Sequence, residues 1–230
     1  MRLVGTCLLA AVAGCAANGE ERDPRDPWEG MNRGIYRFNE TFDEYLARPV
    51  ARGYVKVLHQ EIRTRIANFF ANLQDPFIGL NNFLQGKFED GVTDLARFVV
   101  NSSLGLFGLH DVAGDGGMEK HTEDFGQTLG YWGVGSGPYL MLPILSSSTV
   151  RDTGGLAVDW TLDLLGEVRP INLRNSIIAV RAVNTRAELL EASRILEEAA
   201  LDKYVFQRDA YFQRRRSLIY DGRPPREKLE

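Results

Sequence analysis

Cysteine is almost missing from this chain. Two occur in 230 residues, Cys7 and Cys15, and both lie near the start. Everything after position 15 lacks a thiol, so a disulfide framework is excluded. No zinc-binding pattern exists either, because there is no cysteine pair and His59, His110 and His121 are scattered. Long apolar runs are missing as well. Beyond the first fourteen residues nothing approaches the roughly 18 consecutive apolar residues of a simple bilayer-spanning helix. The longest candidate is the stretch Tyr139-Leu140-Met141-Leu142-Pro143-Ile144-Leu145. A basic surplus is also lacking. The net charge is −4, which argues against general nucleic-acid binding, since that needs a positive face. What positive charge there is crowds the end of the chain, at Arg208, Arg214, Arg215, Arg216, Arg223, Arg226 and Lys228.

The start of the chain is where a specific signal sits. Met1-Arg2 supplies a short positive end, and residues 3–13 are apolar or small at almost every position. Val12-Ala13-Gly14-Cys15 then has the form of a lipobox. A signal peptide needs this order of positive end, apolar stretch and small residues before the cut. The expected product begins at Cys15, with acyl chains on the thiol and on the new amino group. One myristoyl-sized chain holds a protein at a membrane only marginally, so two or more are expected for a stable anchor. Cleavage also removes Cys7. Ala16 follows the cysteine, where an aspartate would favour retention at an inner membrane.

Residues 1–14 are thus expected to be a lipoprotein signal peptide and residues 15–25 a lipidated terminus and polar tether. Residues 26–221 follow as one helical domain, and 222–230 as a disordered tail. Within the domain, Asp26 and Pro27 suit a helix start. The spacing of Ile35, Phe38, Phe42 and Tyr45 predicts a helix to about Ala47, with a break at Arg48-Pro49. Ile66, Phe69, Phe70, Leu73 and Phe77 recur at helical spacing, with a restart at Asp75-Pro76 and an end at Gly86. Val92, Leu95, Val99 and Ser103 align along a helix over residues 88–103. Glycines at 126, 130, 133, 135 and 137, interleaved with Tyr131, Trp132, Pro138 and Tyr139, predict turns, short strands or a loop. A helix is expected over residues 150–165, and a long one over residues 180–216 with Leu189, Ile195 or Leu196, and Ala199 on its buried side. The fold class is mainly α.

Catalytic signals are weak. His121, Asp124 and Ser136 are the residue types of a hydrolytic triad, but Ser136 lacks the glycine two positions before it that a nucleophile elbow needs. Gly133-Val134-Gly135-Ser136-Gly137 has no following Lys-Ser/Thr pair, so a tight turn explains it better than a phosphate loop. Residues 111–117 lack the alternating ligands of a calcium loop. No cofactor, no metal and no enzymatic activity are expected. The aromatic stripes fit core packing and acyl-chain contact equally well.

Several segments together resemble the MlaA family, also called VacJ. They are Asp26-Pro27-Trp28-Glu29-Gly30-Met31-Asn32-Arg33 with Tyr36, Phe38 and Asn39; Arg48-Pro49-Val50; Asn81 with Phe83-Leu84-Gln85-Gly86; Arg97-Phe98, Asn101 and Leu104-Gly105; and Asp111-Val112-Ala113-Gly114. The run from Glu123 through Asp124-Phe125-Gly126-Gln127-Thr128-Leu129-Gly130-Tyr131-Trp132-Gly133 to Tyr139 is the most specific. Arg151-Asp152, Gly154-Gly155, Thr185-Arg186-Ala187-Glu188-Leu189-Leu190 and Ala210-Tyr211-Phe212-Gln213-Arg214 complete the series.

The resemblance implies a mainly helical, ring-shaped single domain whose amphipathic helices lie in one leaflet of the outer membrane, around an amphipathic channel. It implies a lipoprotein on the periplasm-facing inner leaflet that removes mislocalised phospholipids from the outer leaflet. The implied partners are trimeric porins and a soluble periplasmic phospholipid carrier. A structural porin-associated lipoprotein without transport, or a lipid hydrolase, are the alternatives. An asymmetry assay separates the first from transport, and Ser136→Ala tests the second. The expected residues follow. Cys15 carries the lipid. Tyr131, Trp132, Gly133, Gly135 and Tyr139 border the lipid path. Arg151, Asp152 and Asp159 line the channel, the two aspartates sharing a helix face. Ile35, Phe38, Phe42, Phe69 and Phe70 touch the membrane.

Overall fold

The computed structural model describes residues 23–226, and of residues 195–199 the backbone alone. The expected signal peptide and tether up to residue 22, Cys15 among them, and residues 227–230 lie outside the described residues.

The first helix, α1, spans Glu29–Phe42. Asp26 does not cap it with its side chain. Its carboxylate is fully buried, accepting hydrogen bonds from Asn32 Nδ2 at 2.8 Å and from the Tyr204 hydroxyl. A π-helical turn, Asp43–Ala47, leads directly into α2, Arg48–Val57. The expected break at Pro49 is therefore not observed. Proline is tolerated in the first turn of a helix, where its missing N–H is no loss, and the π turn just before it resets the hydrogen-bond register.

The next helix, α3, runs unbroken over Gln60–Leu84 with Pro76 inside it. Its partner α4, Phe88–Ser103, packs back along it. Gly86, at φ +77°, ends α3 in a backbone conformation that glycine adopts without strain. The two helices come close at another glycine. A Cβ on Gly91 would stand 2.6 Å from the Phe83 ring. That packing along both sides of position 76 compensates the hydrogen bond the proline removes, so the expected restart becomes one long helix.

Short helix α5, Val112–Asp115, precedes α6, Phe125–Tyr131. The glycine-rich segment thus begins as a helix. It continues as a loop into an antiparallel hairpin of β1, Tyr139–Leu142, and β2, Ser146–Thr149, with Tyr139 opposite Thr149. Thr149 caps α7, Val150–Leu162, by accepting from Asp152 N at 3.2 Å. A 3-10 turn, Leu164–Glu167, follows. The expected long helix is three helices: α8, Ile171–Glu188; α9, Leu190–Ala199; and α10, Lys203–Ile219. Asp202 accounts for the start of the last one. Its carboxylate accepts from Tyr204 N and Val205 N at 3.0 and 3.1 Å, an N-cap rather than a mid-helix residue. Leu189 is exposed at the α8–α9 junction.

The burial pattern is inverted over much of the molecule. A conventional core exists around Tyr139, Met141 and Tyr204, with Ile35, Tyr36 and Phe212 packed on it. On α3 and α4 the buried faces are mostly polar, although α3 also buries Phe70 and Ile78. The buried residues of α4 are Gly91, Asp94, Arg97 and Asn101, while Val92, Leu95 and Val99 face outward. Asn72, Asp75, Asn81 and Asn82 of α3 are buried, and Ile62, Leu80 and Leu84 are exposed. The α4–α5 loop presents Leu104, Leu106 and Phe107, the last 78% exposed. Among the described residues, no helix is long and apolar enough to cross a membrane.

Candidate functional site

A cavity of about 530 Å³ opens where α3, α6, α7, α8 and α10 meet. Its apolar lining comes from Leu73, Phe77 and Ile78 of α3, Trp160 of α7 and Leu218 of α10. Its charged lining is denser than that of an ordinary apolar pocket: Lys120, Glu123, Asp124, Asp159, Asp163, Arg181, Arg214 and Arg215.

Arg215 is the hub. Its guanidinium meets Asp124 at 2.5 and 2.6 Å and Asp152 at 3.0 Å, tying α10 to the starts of α6 and α7. Such forked charge-assisted bonds fix orientation as well as position. The cost of leaving out the small residues here is visible at Gly126. A Cβ there would meet Arg215 at 2.4 Å and Asp152 at 2.7 Å. Asp152 is also reached by the Tyr211 hydroxyl at 2.6 Å and by Arg151 Nε at 2.9 Å. Burial pushes its carboxyl up, but Arg151, Arg215 and Tyr211 outweigh that and hold it below the usual carboxylate range. Glu123 is different. Burial raises it above the usual range, although Gln85 at 2.8 Å and Lys87 at 3.3 Å oppose the rise. Asp159 is pushed up to about 6, mainly by burial and further by Asp124. The Phe125 N–H, at 3.2 and 3.3 Å, and the charge of Arg215 act against the rise.

Asp159 is thus the one expected channel residue that lines this cavity. Asp152 and Arg151 are buried behind the wall, where Arg151 also reaches the Val134 carbonyl at 3.2 Å. Gly133 and Gly135 are exposed with open space around them. Trp132 is half-exposed and donates from its indole to the Leu84 carbonyl at 2.9 Å. Tyr131 lies exposed beside Lys87. Tyr139 is a core residue, fully buried, with its hydroxyl 2.9 Å from Ser147 Oγ. The alternation of the hairpin turns it inward, and it is not among the residues that line this cavity.

Of the aromatic positions expected at a membrane, Phe38 points outward and is 52% exposed, with Phe42 stacked on it. Phe69 is half-buried. Ile35 packs on the apolar core and Phe70 is buried, so those two are inside. The triad residue types are not brought together. His121 faces Asp94 and Asp90, Asp124 holds Arg215, and Ser136 Oγ bonds the Gly137 carbonyl.

Sequence reasoning missed most of the cavity wall, including Arg181, Asp163 and Lys120. The signal for Arg214 and Arg215 was present in the basic crowding near the end of the chain. A charge cluster at helical spacing on α10, next to Tyr211, could have been read as one polar face.

The MlaA lipoprotein family model matches residues 24–218. The chain is 39% identical over 225 residues to the intermembrane phospholipid transport system lipoprotein MlaA of Escherichia coli strain K12, covering 95% of this chain and 87% of that protein. It is 30% identical to the protein of the same description in Haemophilus influenzae, over 95% of this chain and 90% of the relative. A solved structure from work on the structural basis for maintenance of bacterial outer membrane lipid asymmetry superposes with a TM-score of 0.75 at 37% identity, covering 86% of this chain and all of that one. With the family model spanning nearly all the described residues and the fold in agreement, this chain belongs to the MlaA lipoprotein family.

Proposed function

We propose that this chain is an outer-membrane lipoprotein that removes mislocalised phospholipid from the outer leaflet and so maintains lipid asymmetry. The observation that carries the reading is the inversion of polarity: apolar side chains face outward on α3, α4 and the α4–α5 loop, while charge lines the cavity. A protein so built can keep its perimeter in acyl chains and give headgroups a polar path. Without that path, an unpaired charge in hydrocarbon costs several kcal/mol. The relatives' descriptions as phospholipid-transport lipoproteins support the same reading.

The finer parts follow from this and from the resemblance. The domain forms a ring seated in the inner leaflet, with Cys15 acylated and the helices near the membrane plane. Phe38, Phe42 and Phe69 contact lipid. Phospholipid leaves through the cavity to a soluble periplasmic carrier, and trimeric porins hold the protein in place. Neither a catalytic residue nor a cofactor is invoked.

The test is outer-leaflet phospholipid in a strain lacking its own family member, with and without this chain restored. Restored asymmetry is expected. Surface phospholipid that stays high despite normal protein level and porin association would leave only a scaffold role. Cys15→Ser should abolish incorporation of radiolabelled fatty acid; equal label on both forms would end the lipoprotein assignment.

A further inference from the structure

The charges around the cavity are nearly all committed to one another. Arg181 pairs with Asp163 at 2.8 Å, Arg215 with Asp124 and Asp152, Lys120 with Asp75, and Glu123 with Lys87. Two charged side chains are left over. Asp159, on α7, accepts only the Phe125 N–H, and no cation pairs with it among the described residues. Arg214, on α10, is exposed, and its guanidinium has no hydrogen bond or ion pair among the described residues.

A surplus cation and a surplus anion lining one cavity complement a ligand that carries both charges. The wall offers two further features that suit a cation. The indole of Trp160, next to Asp159, is half-exposed in the cavity lining, and an aromatic face attracts an ammonium group. Gln127 has used its amide N–H groups on the Thr122 carbonyl and Asp124, leaving its buried Oε1 without a donor. This part of the wall has more acceptors than N–H groups to fill them.

We propose that the cavity contains a headgroup subsite for a zwitterionic aminophospholipid, with Arg214 holding the phosphate and Asp159 the primary ammonium. The assignment rests on the lipid-transport reading above. An ethanolamine-type headgroup satisfies both leftover charges and supplies N–H donors to the carboxylate. A choline-type headgroup keeps the charge but has no N–H to donate. A glycerol-type headgroup engages Arg214 and leaves Asp159 facing a second negative charge. Burial has already raised the Asp159 carboxyl, so an arriving cation relieves a strained ionisation there.

The full-length acylated protein in detergent micelles would be titrated with short-chain phosphatidylethanolamine and, separately, phosphatidylglycerol, followed by tryptophan fluorescence. The native protein should prefer the ethanolamine lipid by about tenfold, the worth of one charge-assisted hydrogen bond. Asp159→Asn should bring the two lipids to parity, and Asp159→Glu should keep the preference. Arg214→Gln, at an exposed and partnerless position, should weaken both lipids by about tenfold. An unchanged preference in Asp159→Asn overturns the subsite, as does unchanged affinity in Arg214→Gln. Binding of both lipids by the native protein without preference overturns the subsite alone. Failure of the native protein to bind either lipid overturns the transport reading with it.

Discussion

Around Tyr139 the interior is made as in a water-soluble protein, with Met141, Tyr204 and Phe212 packed together and the Tyr139 ring meeting Tyr204 and Tyr211 edge to face. Between α3 and α4 the same chain buries an ion network instead. Arg97, 2% exposed, reaches Asp111 at 2.8 Å and the Met118 carbonyl at 2.6 Å. Asn82 and His121 meet Asp94. The first region can be held by the hydrophobic effect. The second relies on it less, since most of its apolar side chains face outward, and it holds together largely because each buried charge finds a partner. On the proposed seating in a leaflet the difference follows from solvent: where the outside is hydrocarbon, outward apolar groups cost nothing and cohesion must come from polar contacts and close packing.

The sharpest way to break the comparison is Arg97→Met. It keeps an unbranched apolar stem but removes the guanidinium from Asp111 and leaves the buried Asp75 with Lys120 alone, and breaking a buried pair from one side costs about 3–5 kcal/mol. Chemical denaturation in detergent should show that loss. If Arg97→Met proves as stable as the native chain, the network is dispensable and α3–α4 is held by packing alone.

The conventional core should respond less. Met141→Ala removes a fully buried side chain and should cost about 2–4 kcal/mol, the ordinary transfer-plus-cavity penalty. Measured side by side, the polar site should be the more sensitive of the two. The reverse order would show that the fold is governed by its small apolar core.

The cavity wall should move in the opposite direction. The folded Asp159 carboxyl is raised to about 6, so folding favours its protonated form. Its cost is fully present above about pH 6 and fades as pH falls towards the unfolded value of about 4. Asp124 on α6, Arg215 on α10 and the Phe125 N–H are the groups that set this shift. Asp159→Asn should therefore stabilise the fold by about 1–2 kcal/mol near pH 7.5, after allowing for solvent in the cavity, and by nothing near pH 3.5. Melting temperatures at the two pH values decide it. A variant less stable at neutral pH would mean that Asp159 has a native cation partner. Gained stability with lost lipid preference would mark the carboxylate as kept for binding.

Much of this was legible in the sequence. The helical periods of α1, α3 and α4 and the end at Gly86 all stand. What periodicity could not supply was the direction of each stripe. Val92, Leu95 and Val99 form a regular apolar face whether that face meets a core or a membrane, and the stripe over α1 divides, with Ile35 inward and Phe38 outward. Breaks were misread where local rules met tertiary packing. Pro49 and Pro76 sit inside continuous helical segments, while Asp202, which carries no such warning, starts a new helix. The cavity was the least legible part. Asp124, Asp159, Arg181 and Arg215 come from four separate elements, and only the fold brings them together.

The smallest effect on stability should come from Phe38→Asp, and it is the most telling for function. Phe38 is exposed and its ring rests mainly on Phe42. In detergent a solvated aspartate at such a position should change stability by no more than about 0.5 kcal/mol. In a bilayer the same change puts a charge against acyl chains, costing several kcal/mol unless the helix withdraws. The variant should therefore be as abundant and as heat-stable as the native protein once extracted, yet sit wrongly in the membrane. A mis-seated channel can leak where an absent one cannot, so detergent sensitivity of the cells should exceed that of the deletion. Low abundance with a deletion-like phenotype would instead place Phe38 in a packed interior and return α1 to the same class as the Tyr139 core.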